Sequence, residues 1–182
     1  IRVSLMEDKY LTINSIGKGY YTDRRSKFYA FAHHVETVDD CKALINEYRK
    51  KYFDARHCCY AYMLGPERQE WRANDDGEPS STGGKPIMGQ INSHELTDIL
   101  VCVIRYYGGV NLGTSGLIEA YRTAAASAIE DADIIECFQK EEVKFHFTYP
   151  IMNGVMRIVK EINHAIVSQS IDNDCYITLS IR

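Results

Sequence analysis

The spacing of apolar and polar residues predicts alternating strands and helices from the first part of the chain onward. Two strands are predicted at residues 10–16 and 27–35, joined as a hairpin through the segment GKGYYTDRRS. A helix then begins at Thr37, which forms a capping pattern with Asp40, and it ends near Tyr52. A hairpin followed by a helix is therefore expected in this part of the chain.

The middle of the chain continues the same alternation. Residues 55–64 have the pattern of a strand, and Pro86 is placed in the first turn of a further helix. The run DILVCVI is apolar at nearly every position, which predicts a central strand covered on both faces. A helix over about 114–131 and the strand-like segment DIIECF follow.

A second unit is predicted from about Lys140, because EVKFHFTY, a helix opened by Pro150, and the segments AIVSQSI and CYITLSI form a β-α-β-β pattern. A split βαβ sandwich needs one more helix and strand, so we expect this unit to be incomplete at the C-terminus. The predicted class is α+β, with domains at 1–138 and 139–182.

Composition narrows the function. The chain has 182 residues, of which 45% are hydrophobic, and this is ordinary for a globular protein. A formal net charge of -4 argues against a general polyelectrolyte binder, so any phosphate binding must be local. Neither a membrane span nor a signal sequence is evident, and the six cysteines form no C-x-x-C pair. These features predict a cytoplasmic protein with buried free thiols and no membrane partner.

Two glycine-rich segments form the candidate site, DDGEPSSTGGKP at 75–86 and RYYGGVNLGTSG at 105–116. The second connects a buried strand to a helix, a layout that presents backbone N–H groups to an anion. Its spacing matches neither the dinucleotide fingerprint nor the P-loop. The glycines could instead serve only a tight turn and close helix packing, with Thr114 or Ser115 as an N-cap.

The candidate phosphate or nucleic-acid ligands are the polar and glycine residues of these segments. They are Asp76, Glu78, Ser81, Thr82, Gly84 and Lys85 in the first segment, and Arg105, Tyr106, Gly108, Gly109, Gly113, Thr114, Ser115 and Gly116 in the second.

Two of these residues are cations that would anchor a phosphate, Lys85 and Arg105. Because Arg105 closes a buried strand, it needs either an acidic partner, for which Asp76 and Glu78 are candidates, or an anionic ligand. The same two carboxylates could hold Mg²⁺, and no other cofactor is expected. No histidine is tied to Ser81 by a recognisable motif, so no catalytic residue is assigned.

The segments RSKFYAFAHHV, DARHCCYAY, DDGEPSSTGGKP and VIRYYGGVNLGTSGLIEAYRTAA together resemble the signature of the IMPACT/YigZ family over roughly residues 23–136. Ser81 and Gly83 stand where that family often has Gly and Ala. The resemblance implies a first domain with the ribosomal protein S5 domain 2-like fold and its left-handed βαβ crossover. For bacterial members it also implies a ferredoxin-like second domain similar to the last domain of elongation factor G.

Eukaryotic members of this family carry an N-terminal RWD domain and restrain a kinase that controls translation initiation. No RWD domain precedes the motif in this sequence, so the resemblance implies a bacterial-type member. Our leading hypothesis is a binding protein linked to translation that receives RNA or ribosomal phosphate. The alternatives are an enzyme that binds a nucleotide or phosphorylated metabolite in the same cleft, and a scaffold for a protein partner.

Overall fold

The computed structural model describes residues 8–162 and 165–181. The chain divides into two compact units, one formed by Lys9–Cys137 and the other by Asp8 with the described residues from Phe138 onward. Each unit mixes helices and strands, and the predicted α+β class is confirmed. Within the described part of the chain, no helix is both long and apolar enough to cross a membrane.

The larger unit contains seven strands and three helices in the order of the chain. They are β1 (Lys9–Ile13), β2 (Gly17–Asp23), β3 (Ser26–His34), α1 (Val38–Lys51), β4 (His57–Leu64), β5 (Glu70–Asn74), α2 (Gly84–Ser93), β6 (Ile99–Tyr106), α3 (Gly113–Asp131) and β7 (Ile134–Phe138). The main sheet has the order β2-β3-β6-β4-β5 with every neighbouring pair antiparallel. Strands β1 and β7 form a separate pair.

The central strand β6 confirms the prediction made from its apolar run. Val101 and Val103 face the large core formed with α2 and α3, whereas Leu100 and Cys102 face the core formed with α1. Successive side chains of a strand point to opposite faces, so this alternation fixes which face each later residue of β6 occupies. Arg105 therefore shares the face of Val103, and Tyr106 lies on the face of α1.

Helix α1 begins as its capping pattern predicts. The backbone N–H of Asp40 donates to Thr37 Oγ1 at 3.1 Å, and the basic residues Arg49, Lys50 and Lys51 fall in the last turn. Negative side chains near the start and positive ones near the end both offset the helix dipole.

The predicted hairpin between residues 10–16 and 27–35 is wrong. The connecting segment is itself strand β2, which pairs with β3 through a tight turn at Arg24 and Arg25, while β1 pairs with β7. Its glycines lie beneath α3 rather than in a turn. A Cβ on Gly17 would overlap the carbonyl of Ala128, and one on Gly19 would lie 2.5 Å from Ala128 N.

The smaller unit contains β8 (Glu141–Thr148), a 3-10 turn at Tyr149–Ile151, α4 (Met152–Ile162), β9 (Ala165–Ile171) and β10 (Asp174–Ile181). Its sheet has the order β8-β10-β9, and both pairs are antiparallel. The predicted β-α-β-β pattern is confirmed. Its buried core consists of Phe147, Val159, Cys175, Ile177 and Leu179.

Candidate functional site

A buried ion pair lies where β6 ends. Arg105 is 5% exposed, and its Nη1 donates to Glu78 Oε1 at 2.6 Å. The same carboxylate oxygen accepts a hydrogen bond from the Tyr121 hydroxyl at 2.7 Å. Burial, and next the nearby Cys59 and Glu78, raise the pKa of Tyr121, which keeps this hydroxyl a donor. Of the two acidic partners considered for Arg105, the structure selects Glu78.

One of the three guanidinium nitrogens of Arg105 has no hydrogen-bond partner among the described residues. Its Nη2 donates weakly to Ser26 Oγ at 3.4 Å, but Nε has no hydrogen-bond partner among the described residues although it is buried. The rings of Phe28 and Tyr107 lie 5.6 Å and 5.5 Å from the guanidinium carbon. A buried N–H without a partner is costly, so this nitrogen marks an incompletely compensated cation in the core.

A cavity of about 460 Å³ opens beside this guanidinium, and we call it the first cavity. It is lined by the β4 start, the first glycine-rich loop, the end of β6 and the start of α3. The lining residues are Arg56, His57, Glu78, Pro79, Arg105, Tyr107, Asn111, Leu112, Gly113, Thr114 and Leu117.

The start of α3 contributes the N-terminal end of a helix to the first cavity. Its N-cap residue Leu112 makes no capping hydrogen bond through its side chain, and the first turn holds no acidic residue. Gly113 has φ +72°, a backbone conformation that favours glycine, and Thr114 is exposed. The first N–H groups of a helix have no intrahelical partner and attract anions.

The start of α2 is different, because Asp75 occupies it. One carboxylate oxygen of Asp75 accepts from the N–H groups of Gly83 at 3.1 Å and Gly84 at 2.9 Å, and the other accepts from Ser81 N–H at 2.8 Å. The predicted cradle in the first loop is therefore filled by the chain itself. Sequence analysis missed this role, because Asp75 precedes the first residue of α2 by nine positions and is not at the N-cap.

Asp76 holds the turn in place rather than facing the first cavity. Its backbone is left-handed at φ +43°, and its carboxylate accepts from Arg49 Nη2 at 2.9 Å and Cys58 N–H at 2.7 Å. The Asp76 and Glu78 carboxylates thus contact different partners. In the described ranges, no three His, Cys, Asp or Glu side chains are grouped so that they could hold a metal ion.

His57 links this turn to Glu78. Its Nδ1 must donate to the Asp76 carbonyl, which can only accept, at 2.7 Å. The other ring nitrogen, Nε2, lies 3.6 Å from Glu78 Oε2 at the wall of the first cavity.

Several predicted site residues have structural contacts instead. Thr82 is fully buried, and its hydroxyl donates to the Pro79 carbonyl at 2.6 Å. A Cβ on Gly84 would overlap the backbone of Asn74, and one on Gly108 would overlap that of Arg25. These glycines permit close packing of backbone against backbone.

The remaining residues of the two glycine-rich segments lie at the surface or in the second loop. Lys85 and Ser81 are exposed around the start of α2 and are not among the residues that line the first cavity. Gly109 is exposed with φ +86°, Ser115 is exposed, and Gly116 packs close to Leu112. The structure therefore brings Arg105, Glu78, Gly113 and Thr114 together but leaves Lys85 apart.

The tyrosine that accompanies Arg105 is Tyr107, not Tyr106. The Tyr106 hydroxyl donates to Asp54 at 2.8 Å on the α1 face of the sheet. Tyr107 lines the first cavity, where the guanidinium of Arg56 lies 5.7 Å from its ring. Arg56 and Tyr107 are site residues that the sequence analysis missed, and strand alternation in β6 is the signal that separates the two tyrosines.

Comparison with known proteins is consistent along most of the chain. The family described as the Impact N-terminal domain matches residues 24–129. The IMPACT family member YvyE of Bacillus subtilis is 32% identical over 131 residues, which are 72% of this chain and 60% of that protein. An IMPACT family member of Thermus thermophilus is 34% identical over 137 residues, covering 75% and 73% of the two chains.

YigZ of Escherichia coli extends the match further, with 29% identity over 160 residues that cover 87% of this chain and 78% of YigZ. A crystal structure of a hypothetical protein superposes with a TM-score of 0.81 at 27% identity and covers 98% of this chain and 87% of its own. This agreement supports the predicted S5 domain 2-like and ferredoxin-like units. The chain belongs to the IMPACT family.

Proposed function

We propose that this chain is a binding protein linked to translation, and that its first cavity receives a phosphate of RNA or of the ribosome. One observation carries the proposal. The buried guanidinium of Arg105, with an unpartnered Nε, lines the same cavity as the uncapped start of α3. Two independent groups suited to an oxyanion thus lie at one place.

The charges in the first cavity favour a phosphodiester. Arg56 and Arg105 contribute two positive charges, and Glu78 contributes one negative charge. The remaining single positive charge and the helix N-terminus suit the single negative charge that each backbone phosphate of RNA carries. Because the whole chain has a net charge of -4, this attraction is local.

Membership of the IMPACT family supports the link to translation. Eukaryotic members of the family regulate translation, and the family resemblance implies a second unit similar to part of elongation factor G. Proteins of both kinds act close to RNA, where phosphate groups are abundant.

The test is to place a negative charge in the first cavity without disturbing the core. We expect Thr114→Glu to weaken binding of a labelled single-stranded RNA about tenfold or more, measured by fluorescence anisotropy. Ser115→Glu is the matched control, since it adds the same charge to the same helical turn at an exposed residue that does not line the cavity, and it should cost far less.

Salt dependence provides an independent readout. The logarithm of the association constant should fall with the logarithm of salt concentration at a slope of about −0.7 for each phosphate contacted. RNA binding that is undetectable, independent of salt, or equally weakened by both variants would contradict the proposal.

A small phosphorylated ligand is the second candidate, and the position of His57 favours it. A volume of about 460 Å³ falls in the range of small-molecule sites, and His57 presents its Nε2 at the wall as a candidate general base. Stabilisation against heat by a mononucleotide but not by an oligonucleotide would favour this function, and sensitivity to EDTA would add a metal to it.

A further inference from the structure

A second cavity, of about 180 Å³, lies next to the first. Its lining comes from the end of α1, the segment after it, and the α1 face of β4 and β6. The lining residues are Tyr48, Arg49, Tyr52, Phe53, Ala55, Arg56, His57, Cys58, Asp76 and Ile104. Arg56 and His57 line both cavities, so the two cavities adjoin at these residues.

Three aromatic residues border the second cavity, and one of them, Phe53, is almost fully exposed. Phe53 is 83% exposed directly after α1. The neighbouring Tyr52 ring stacks against Tyr48 at 6.3 Å and against Tyr29 at 6.5 Å, with interplanar angles of 16° and 11°. A single exposed aromatic residue is ordinary, but one that lines a cavity beside a fixed ring stack is a surface for a further flat ring.

Positive charge surrounds these rings. Lys51 Nζ lies 5.5 Å from the centre of the Tyr52 ring, and Lys50 is exposed in the same helical turn. Of the nearby acids, Asp76 is paired with Arg49, and Asp54 accepts a hydrogen bond from Tyr106. Arg56 and the two lysines outnumber the charge that Asp54 keeps, so the rim is positive, which complements a phosphate backbone.

We propose that the second cavity receives one unstacked base of single-stranded RNA, stacked on Phe53, while an adjoining phosphate lies in the first cavity. This inference rests on the proposed function of the first cavity. Proteins bind single-stranded nucleic acids by stacking bases on aromatic rings and by attracting the phosphates with cations. Stacking suits any base, because every base has a flat face. The volume of about 180 Å³ lies below the range of drug-sized ligands, which suits a single base rather than a larger group. Bases in a duplex are paired and stacked, so they are not free to enter the cavity.

Substitution of Phe53 tests the inference, because this side chain is too exposed to matter for folding. We expect Phe53→Ala to weaken binding of a single-stranded RNA of roughly twelve nucleotides about tenfold or more, while binding of a duplex of equal length is unchanged. Phe53→Trp should retain the affinity, since it preserves a flat ring. Trp71→Ala is the matched control, because Trp71 is 60% exposed but lines neither cavity, and it should have no effect.

The two proposals fail in different ways. If Phe53→Ala binds single strands as tightly as the wild type, or loses single-strand and duplex binding equally, base stacking is overturned and the phosphate site stands. If the wild type binds no RNA, or if Thr114→Glu has no effect, the phosphate site is overturned and the base site falls with it. Nuclease-resistant retention of a protein by the wild type but not by Phe53→Ala would assign the second cavity to a protein and also overturn the inference.

Discussion

Glu78 is the residue on which the interior of the site depends. Its side chain is 3% exposed, one oxygen accepts from Arg105 and Tyr121, and the other lies near His57. A buried cation requires a compensating charge with good geometry, which explains why the guanidinium of Arg105 can remain buried where β6 ends.

Replacement of Glu78 by Gln should therefore destabilise the fold by about 3–5 kcal/mol, because it leaves the Arg105 charge buried without a partner. Urea unfolding followed by circular dichroism would measure the change. Glu119→Gln breaks the exposed pair with Arg122 and should cost at most about 1 kcal/mol. Similar losses for the two variants would show that the buried pair is not special.

The sequence allowed part of this residue-scale picture to be predicted. A cation at the end of an apolar strand requires an acid, and Glu78 was one of the two candidates. The capping role of Asp75 was not predictable from helix periodicity, because it depends on a carboxylate folding back across a loop to N–H groups that follow it by six to nine residues.

At the scale of elements, the contact between α3 and β2 sets the distance between this helix and the main sheet. Gly17 and Gly19 allow the backbone of α3 to lie directly on the strand, where any side chain would collide with Ala124 or Ala128. The alanines on the facing side of α3 are fully buried, so small residues meet across both elements.

Substitution of Gly19 by Ala should destabilise the protein by about 1–3 kcal/mol, because a Cβ there would lie 2.5 Å from Ala128 N and 2.6 Å from Ala124 O. The melting temperature measured by calorimetry should fall accordingly.

The matched control is Gly89→Ala, in the interior of α2. A Cβ there meets nothing within 4 Å, so this variant should gain about 0.5–1 kcal/mol from the better helix propensity of alanine. A neutral Gly19→Ala variant would contradict the close packing of α3 on β2.

Elements with strong periodicity were predictable, and β2 was not. The alternation in β3 and the continuous apolar run of β6 each indicate directly which faces of the strand are buried. Strand β2 combines glycines, lysine and two tyrosines, which locally resemble a turn. Its strand character comes from pairing with β3 and from the helix above it, and neither contact can be read from the segment alone.

At the scale of the whole molecule, the two units differ in how much core supports them. Strand β6 is buried from Ile99 to Arg105 and has hydrogen-bonded neighbours on both sides. Among its described residues, the smaller unit has a buried core of five side chains, and β9 is exposed along residues 166–171. The sequence pattern predicted the elements of the smaller unit and most of those of the larger one, but the depth of burial depends on packing between distant segments.

Amide hydrogen exchange should reflect this difference. We expect the amides of β6 and of its neighbours β3 and β4 to exchange most slowly, and those of β9 and β10 at least about tenfold faster, as measured by mass spectrometry of peptides. Equal protection of β6 and β10 would show that the chain unfolds as one cooperative unit.

The Asp75 carboxylate also acts as a competitor that the protein carries with it. A group tethered by a short segment of chain is present at its binding place at an effective concentration of about millimolar or more. A free anion must outcompete that tethered carboxylate at the start of α2, whereas in the part of the chain that the structure describes no side chain caps the start of α3. In the sequence, the starts of α2 and α3 look equally suited to phosphate. Because Asp75 occupies the start of α2, weak anionic ligands are left with the start of α3 as their single binding position.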